Sequence, residues 1–207
     1  INPQTLNNEI LNEIGRNHTR EQTIESFKLA REIGFDNINM DIIAGLPKDT
    51  LESFKKTVDE IILLNPENVT VHTLTIKRCA DYASDKTEVL KHIGEVSKMV
   101  DYAQSSLMNE SFLPYYLYRQ KNTIGNLENV GFCKKGFEGY YNVYIMDETH
   151  TILATGAGAV TKLKQPMGKK IERIFNYKFP FEYINNFQEI IKRKDRVKEF
   201  YGQFGIW

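Results

Sequence analysis

The chain has 207 residues, of which 41% are hydrophobic and 26% charged, and its 27 basic residues balance its 27 acidic ones. This is the composition of an ordinary soluble domain with one sizeable core, and its neutrality excludes a general attraction to nucleic acid or to an anionic membrane. No apolar run reaches the length of a membrane span. Cys79 and Cys133 have no metal-ligand spacing, and two lone cysteines suit a reducing compartment. We therefore predict a cytoplasmic protein that binds neither nucleic acid nor membrane, with two inert thiols.

The first half of the chain alternates strand-like and helical segments. In chain order, the predicted elements are the end of a strand at 1–4, helices over 6–14 and 20–33, a strand over 37–44, a helix over 50–64, a strand over 69–76 and a helix over 87–109. Thr5, the capping box of Thr19 and Gln22, and Asp49 with Glu52 are the predicted helix starts. This order is typical of parallel βα units. The strand remnant at 1–4 predicts that a folded segment precedes the chain.

The second half of the chain has a different character. Its predicted elements are a Tyr-rich strand over 112–119, a long loop over 120–139, a hairpin of 140–146 with 151–154, extended segments from 156 and over 170–175, and a last helix that starts at 180. We therefore predict a two-part α/β architecture. Residues 1–110 are expected to form part of a βα barrel, and residues 111–207 a smaller α+β region.

Asp41 is the most informative polar residue, because it lies within a predicted strand. Period-two alternation places Asn39, Asp41 and Ile43 on one face, and Ile38 and Met40 on the other. Polar side chains near the carboxyl ends of barrel strands face bound ligands. The alternation alone fits a structural ion pair equally well.

Other candidate residues have simple structural explanations beside the functional ones. Gln4 follows a strand end, and Arg16 follows the glycine that ends the first helix, where it is either a carboxylate ligand or a plain surface arginine. His72 is predicted to be a hydrogen-bonded packing residue. Gly156 and Gly158 indicate a close backbone approach rather than a nucleotide loop, because an extended segment follows them. No histidine or cysteine spacing predicts a metal site.

Several sequence blocks, in order, carry a resemblance to a known family. They are INPQTLN, IGRNHT, GFDNINMDIIAGLP, LNPENVTVHTLT, PYYLYRQKN, IGNLENVG and ATGAGAVTK. Through them the chain resembles radical S-adenosylmethionine enzymes of the oxygen-independent coproporphyrinogen III oxidase type, particularly the clostridial and bacillus-like branch. The resemblance runs along essentially the whole chain. It implies the C-terminal part of an incomplete (β/α) radical-SAM-type barrel, followed by a smaller α+β region.

The resemblance also implies a cofactor site. Gln4, Arg16 and Asp41 match family positions that bind S-adenosylmethionine, with Gln4 and Asp41 at the ribose hydroxyls and Arg16 near the methionine carboxylate. Ile43 and Thr75 match family positions beside the adenine, and Val160 matches a position in a wall of the site. Glu138 replaces a family glutamine that approaches a second S-adenosylmethionine, so a second cofactor is not expected to bind identically.

The family's C-x3-C-x2-C motif, which holds a [4Fe–4S] cluster, would lie upstream of Gln4 and is absent from this chain. Without those thiolates no cluster can be held, so we expect the chain alone to be inactive and the cluster to belong to the full-length protein. The implied reaction there is oxidative decarboxylation of coproporphyrinogen III, or of a related tetrapyrrole, with an electron donor as second partner. A 5′-deoxyadenosyl radical removes a propionate β-hydrogen, and loss of CO2 and one electron leaves a vinyl group. Arg119 and Lys121 are the residues that we expect to hold the propionates.

Two alternatives remain open at this stage. The first is a haem-binding carrier on the same scaffold, although the segment Tyr116 to Lys121 favours the oxidase-like branch. The second is a radical enzyme that shares the cofactor half of the protein but acts on a substrate other than a porphyrin. The sequence leaves the oligomeric state open.

Overall fold

The computed structural model describes residues 1–75, 86–119 and 123–206. Its helices and strands are α1 (Asn8–Glu13), α2 (Arg20–Glu32), β1 (Asn39–Ala44), α3 (Leu51–Leu64), β2 (Asn68–Thr73), α4 (Lys86–Asn109), β3 (Leu113–Tyr118), β4 (Asn129–Cys133), α5 (Tyr140–Asp147), β5 (Val160–Lys164), β6 (Ile171–Phe175), α6 (Pro180–Asn185) and α7 (Phe187–Gly202). The chain divides into two compact units, Ile1–Gly139 and Tyr140–Trp207. In the described ranges, no helix is both long and apolar enough to cross a membrane.

The first unit is built on a four-stranded sheet with the order β1-β2-β4-β3. β1 and β2 are parallel, and β4 is antiparallel to both of its neighbours. The first residues of the chain extend this sheet beyond β1. The Gln4 amide donates to the Asp41 carbonyl over 3.0 Å, and the Ile43 amide donates to the Gln4 carbonyl over 2.9 Å. The predicted strand-like start of the chain is therefore confirmed.

The core of the first unit lies on one face of the sheet. Met40, Ile42 and Ala44 are fully buried there, while the alternate positions of β1 are only partly buried. The residues that pack on this face from α2, α3 and α4 are Phe27, Phe54, Val58, Ile61, Val96, Met99, Val100, Ala103 and Leu107. The predicted alternation of β1 is confirmed, since its apolar set lies under helices and its polar set on the opposite face.

The predicted loop over 120–139 is wrong in its middle, because β4 runs through it. All five residues of β4 are buried, and the strand is inserted between β2 and β3. Its glycine and the surrounding asparagines suggested a loop, but a short strand in the middle of a sheet gains its stability from both neighbours rather than from its own propensity. Leu113–Tyr118 and Asn129–Cys133 thus belong to the first sheet. The functional division expected after residue 110 stays a prediction.

The predicted hairpin strand at 140–146 is also wrong, because these residues form α5. Tyrosine, valine and isoleucine favour strands, and this composition suggested the strand. In the helix, the rings of Tyr140 and Tyr144 stack one turn apart with centroids 6.1 Å from each other, which is the i, i+4 contact that only helical spacing allows. The other predicted hairpin strand contributes a single bridge, between Ile152 and Lys162.

Two predicted helix caps are shifted along the chain. Asn7, not Thr5, caps α1, since its side chain accepts from the amides of Glu9 and Ile10. Thr50, not Asp49, caps α3 and accepts from the Ser53 amide over 3.2 Å. The capping box of Thr19 and Gln22 at the start of α2 is confirmed.

The second unit is a β5-β6 hairpin covered by α7. Leu163, Ile174 and Phe200 form its buried centre. The single helix predicted from Pro180 is divided in two, because α6 ends before Asn186 and α7 begins after it. Lys194 of α7 reaches back to β5 and to the loop before it, where its Nζ donates to Thr161 Oγ1 over 2.7 Å and to the Ala154 carbonyl over 3.0 Å.

Candidate functional site

A row of polar side chains crosses the face of the first sheet opposite to its core. In the parallel register, Asp41 of β1 is opposite Thr70 of β2, and Ile43 is opposite His72. Paired residues of neighbouring strands point to the same face, so the polar face of β1 continues on β2. This face carries the candidate site.

The Asp41 carboxylate is at the centre of this row, with 21% of its side chain exposed. Asn39 Nδ2 donates to Oδ1 over 2.7 Å. When the Asn2 amide is oriented with its nitrogen toward the carboxylate, Nδ2 donates to Oδ2 over 2.8 Å. His72 Nε2 lies 3.8 Å from Oδ1. Asp41 is therefore contacted from its own strand, from β2 and from the first residues of the chain.

The Asp41 carboxylate is ionised at neutral pH. Partial burial raises its pKa, but the contacts with His72 and Asn39 lower it by more, so the pKa lies below the ordinary value. An ionised carboxylate only accepts hydrogen bonds, with about two acceptor sites on each oxygen. Asp41 therefore keeps acceptor capacity for hydroxyl donors of a ligand.

Tyr116 of β3 joins this row by lying across β4. Its ring occupies the space that a side chain on Gly131 would need, and its hydroxyl lies 3.3 Å from Thr70 Oγ1. Burial raises the pKa of Tyr116 to about 12, so the phenol stays protonated. The glycine in β4 is what lets a β3 side chain reach β2.

His72 is hydrogen-bonded, as the sequence predicted, and it lies at the candidate site. Besides facing Asp41, its Nδ1 lies 3.2 Å from the hydroxyl of Tyr118, with the two rings edge to face. Sequence reasoning missed His72 and Thr70 as members of the site. The period-two alternation of Asn68, Thr70 and His72 in β2 was the signal that pointed to them.

Gln4 is held beside Asp41 by the backbone. It forms a parallel bridge with Ile42 and is 7% exposed, with a φ of 67°. A positive φ is uncommon for a residue other than glycine, and the hydrogen bonds on both sides of Gln4 hold it there. The structure thus places the backbone of Gln4 next to that of Asp41, and the roles of both residues toward a cofactor stay predictions.

Arg16 is exposed and follows α1, with its amide bonded to the Leu11 carbonyl over 2.9 Å. In the described ranges its guanidinium has no ion-pair partner within 4.0 Å. Two residues later, His18 Nε2 lies 3.3 Å from the carbonyl of Pro3, so the segment that carries Arg16 adjoins the one that carries Gln4. No contact joins Arg16 directly to Asp41.

The other predicted cofactor positions, Ile43, Thr75 and Val160, have no described hydrogen bond to Asp41. Ile43 is partly exposed on the polar face, next to His72 in the register. Thr75 ends the described part of its segment in a bridge with Thr123. Val160 begins β5 in the second compact unit. Their roles beside the adenine and at the wall of a cofactor site stay predictions.

The structure describes only one of the two residues predicted to bind the propionates. Arg119 is exposed and forms an ion pair with Glu128 over 2.9 Å, whereas Lys121 lies outside the described residues. Glu138 accepts from the Gly136 amide over 3.2 Å. These contacts leave the predicted substrate roles untested.

Among the side chains that the structure describes, no group of three or more His, Cys, Asp or Glu residues forms a possible metal site. Cys133 is buried, and burial raises the pKa of its thiol to about 11, which makes it a poor thiolate. Cys79 lies outside the described residues.

Comparison with known proteins shows which family the chain resembles. Residues 1–61 match the model of the Radical SAM superfamily. The chain is 43% identical over 201 residues to the oxygen-independent coproporphyrinogen-III oxidase-like protein HemZ of Bacillus subtilis (strain 168). The aligned region covers 96% of this chain and 40% of that protein. By sequence, this chain is similar to radical SAM proteins. The predicted resemblance to their coproporphyrinogen III oxidase-like members is confirmed.

Two further relatives of this chain differ in their described roles. The heme chaperone HemW of Lactococcus lactis subsp. lactis (strain IL1403) is 27% identical over 198 residues, or 95% of this chain and 49% of that protein. The coproporphyrinogen III oxidase HemN from Escherichia coli, described as a radical SAM enzyme, shares the fold with a TM-score of 0.61 at 18% identity, over 91% of this chain and 42% of that one. The predicted fold class is thus confirmed. The chain spans less than half the length of each of these relatives.

Proposed function

We propose that this chain supplies the nucleoside-binding side of a radical S-adenosylmethionine enzyme that decarboxylates coproporphyrinogen III or a related tetrapyrrole. The observation that carries the proposal is the ionised Asp41 carboxylate on the open face of the sheet, held beside Gln4 in a chain similar to HemZ over 96% of its length. The reaction, the substrate and the electron donor all belong to this proposal, as does a cytoplasmic location.

The residues of the site fit the proposed cofactor. The free acceptor sites of Asp41 suit the hydroxyls of a ribose, and the partly exposed Ile43 gives an apolar surface two residues further along β1. Arg16, exposed and without an ion-pair partner among the described residues, suits a carboxylate, which a guanidinium can bind through two parallel hydrogen bonds. When bound together with a reduced [4Fe–4S] cluster, S-adenosylmethionine supplies a 5′-deoxyadenosyl radical. The chain's own part is to orient the nucleoside and to exclude water around it.

Among the described residues none is assigned to the cluster, because their side chains form no group of three or more possible metal ligands. For the substrate, we propose that Arg119 and Lys121 hold propionates. Arg119 supports this role because its guanidinium is 55% exposed and donates to Glu128 through one nitrogen, which leaves other donors for a second carboxylate. Replacing both Arg119 and Lys121 with alanine is expected to raise the Michaelis constant for the tetrapyrrole without preventing cofactor binding.

The test uses protein expressed from the complete reading frame that encodes this chain, reconstituted with iron and sulfide under anaerobic conditions. We expect vinyl products from coproporphyrinogen III, with Asp41→Asn lowering both turnover and the affinity for S-adenosylhomocysteine. Active Asp41→Asn protein with unchanged affinity would remove the support for the cofactor site. Cofactor cleavage without conversion of the porphyrinogen would point to another substrate.

A haem-binding carrier is the second candidate, because the chain is similar to HemW over 95% of its length. Adding haem to the same protein separates the two functions. A stable shift of the Soret band at one haem per chain, together with no porphyrinogen turnover, would favour the carrier.

A further inference from the structure

Two series of side chains converge on Oδ1 of Asp41, one hydrogen-bonded throughout and the other ending in a contact of 3.8 Å. The first, which we term the Tyr116 arm, consists of Tyr116, Thr70 and Asn39. The second, the His72 arm, consists of Tyr118 and His72. Both arms lie on the polar face of the first sheet and begin at tyrosine hydroxyls of β3, which β2 and β4 separate from β1.

The Tyr116 arm has a fixed direction. Thr70 Oγ1 donates to Asn39 Oδ1 over 3.1 Å, and a hydroxyl has only one hydrogen to donate. The contact of 3.3 Å between Thr70 and Tyr116 is therefore one in which Tyr116 donates. Asn39 Nδ2 then donates to Asp41 Oδ1 over 2.7 Å. All three hydrogen bonds point toward the carboxylate, and bonds aligned in this way strengthen one another.

The His72 arm reaches the same oxygen from the other side. The neutral tautomer that satisfies both of its contacts has Tyr118 donating to Nδ1 and the ring hydrogen on Nε2. Nε2 then lies 3.8 Å from Asp41 Oδ1, an electrostatic contact longer than a hydrogen bond. The other carboxylate oxygen, Oδ2, receives a single described donor, Nδ2 of Asn2.

We propose that His72 and Tyr116 are positioning residues for Asp41, which hold its Oδ1 so that Oδ2 is presented to the hydroxyl groups of a bound ribose. This inference rests on the function proposed above. In this role the two side chains act on Asp41 and do not themselves have to contact the nucleoside. Their effect is to remove the rotational freedom of the carboxylate before the ligand arrives, and a preorganised acceptor binds more tightly than one that must be ordered on binding.

Tyr116 also shows that the arrangement depends on the pairing of β3 with β4. Its ring reaches Thr70 only because Gly131 of β4, its partner in the register, has no side chain. Tyr116 and Tyr118 are parallel, with an interplanar angle of 3°. The two arms thus start from the same strand, β3, and a site held to fractions of an ångström is best built on such a regular element.

The test measures selectivity for the ribose hydroxyls rather than affinity alone. Adenosine and 2′,3′-dideoxyadenosine, which differ only in those hydroxyls, are each competed against S-adenosylhomocysteine on anaerobically reconstituted protein from the complete reading frame. Tyr116→Phe and His72→Leu are expected to weaken adenosine by about three- to tenfold each, the range of a lost hydrogen bond, and to leave dideoxyadenosine unchanged. His72→Gln, which keeps a donor, is expected to recover most of the affinity.

Equal weakening of both nucleosides by Tyr116→Phe and His72→Leu would show a merely structural role and overturn the inference. The inference would also be overturned if Asp41→Asn abolished the preference for adenosine while Tyr116→Phe and His72→Leu both kept it. That outcome would leave the proposed function intact. If Asp41→Asn itself leaves the preference unchanged, the proposed function fails together with the inference.

Discussion

The ring of Tyr116 occupies the position that a Cβ atom on Gly131 would take. The two residues are paired across β3 and β4, next to an irregularity between Pro114 and Tyr116. An ordinary cross-strand pair has two side chains standing side by side, but here one aromatic ring lies flat over a glycine. The candidate site and the packing of the sheet therefore depend on the same pair.

Gly131→Ala is expected to destabilise the protein by about 1–3 kcal/mol, the cost of forcing extra volume into a packed site. Urea unfolding followed by circular dichroism measures it. Gly94→Ala is the matched control, because Gly94 lies in α4 with no atom within 4 Å of its would-be Cβ. There the change should stabilise the helix by about 0.5–1 kcal/mol. Equal effects of the two changes would contradict the close packing of Tyr116 on Gly131.

Arg16→Ala is expected to weaken S-adenosylhomocysteine about tenfold or more, as for the loss of a hydrogen bond to a charged group, while the affinity for adenosine stays the same. The physical reason is that only the former ligand has a carboxylate for the guanidinium. Competition binding on reconstituted protein measures both affinities. Lys28→Ala is the control, since Lys28 is an exposed cation of the neighbouring helix α2. A loss of adenosine affinity in Arg16→Ala would point to a structural role instead.

Glu67 is expected to make stability depend on pH. Burial raises its pKa, but the hydrogen bonds from Arg31 and the Ile38 amide, 2.7 and 2.9 Å long, outweigh burial and hold the pKa below 4.5. A carboxyl group whose folded pKa is depressed stabilises the protein above its unfolded pKa, and loses that contribution as the pH falls through the folded pKa. Glu67→Gln should therefore cost about 1–3 kcal/mol at pH 7 and less as the pH falls below 4.5.

Urea unfolding of Glu67→Gln and wild-type protein at several pH values measures this difference. Glu25→Gln serves as the control, because Glu25 is exposed on α2 and should unfold in parallel with the wild type. A constant difference between Glu67→Gln and wild type across the acid range would contradict the prediction.

Thr50→Ala is expected to destabilise the first unit by about 1 kcal/mol, because α3 would lose the side chain that accepts from the Ser53 amide. Thr50→Ser keeps the hydroxyl and is expected to stay within a few tenths of a kcal/mol of the wild type. Thermal unfolding of the three proteins measures the difference. Similar losses in both variants would show that the methyl group, rather than the cap, matters.

The local elements of the first unit were predictable wherever one periodicity dominated. The alternation in β1 requires a buried apolar face and a polar one, so the placement of Asp41 followed from the sequence. The capping box at Thr19 is equally local, since both hydrogen bonds join residues three apart. Caps were missed where two polar residues compete for one helix start, as Asp49 and Thr50 do, because only the backbone geometry decides between them.

The sequence by itself determined the family resemblance, the fold class and the face of β1 on which Asp41 lies. Several motifs in fixed order and a two-residue alternation are properties of the chain alone. Only the tertiary structure decided what surrounds that carboxylate. β4 sits between β2 and β3, α5 replaces a predicted strand, and His72, Thr70 and Tyr116 join the site through strands that are distant in sequence. Such contacts depend on which strands become neighbours, and strand order follows from packing the whole sheet rather than from any local propensity.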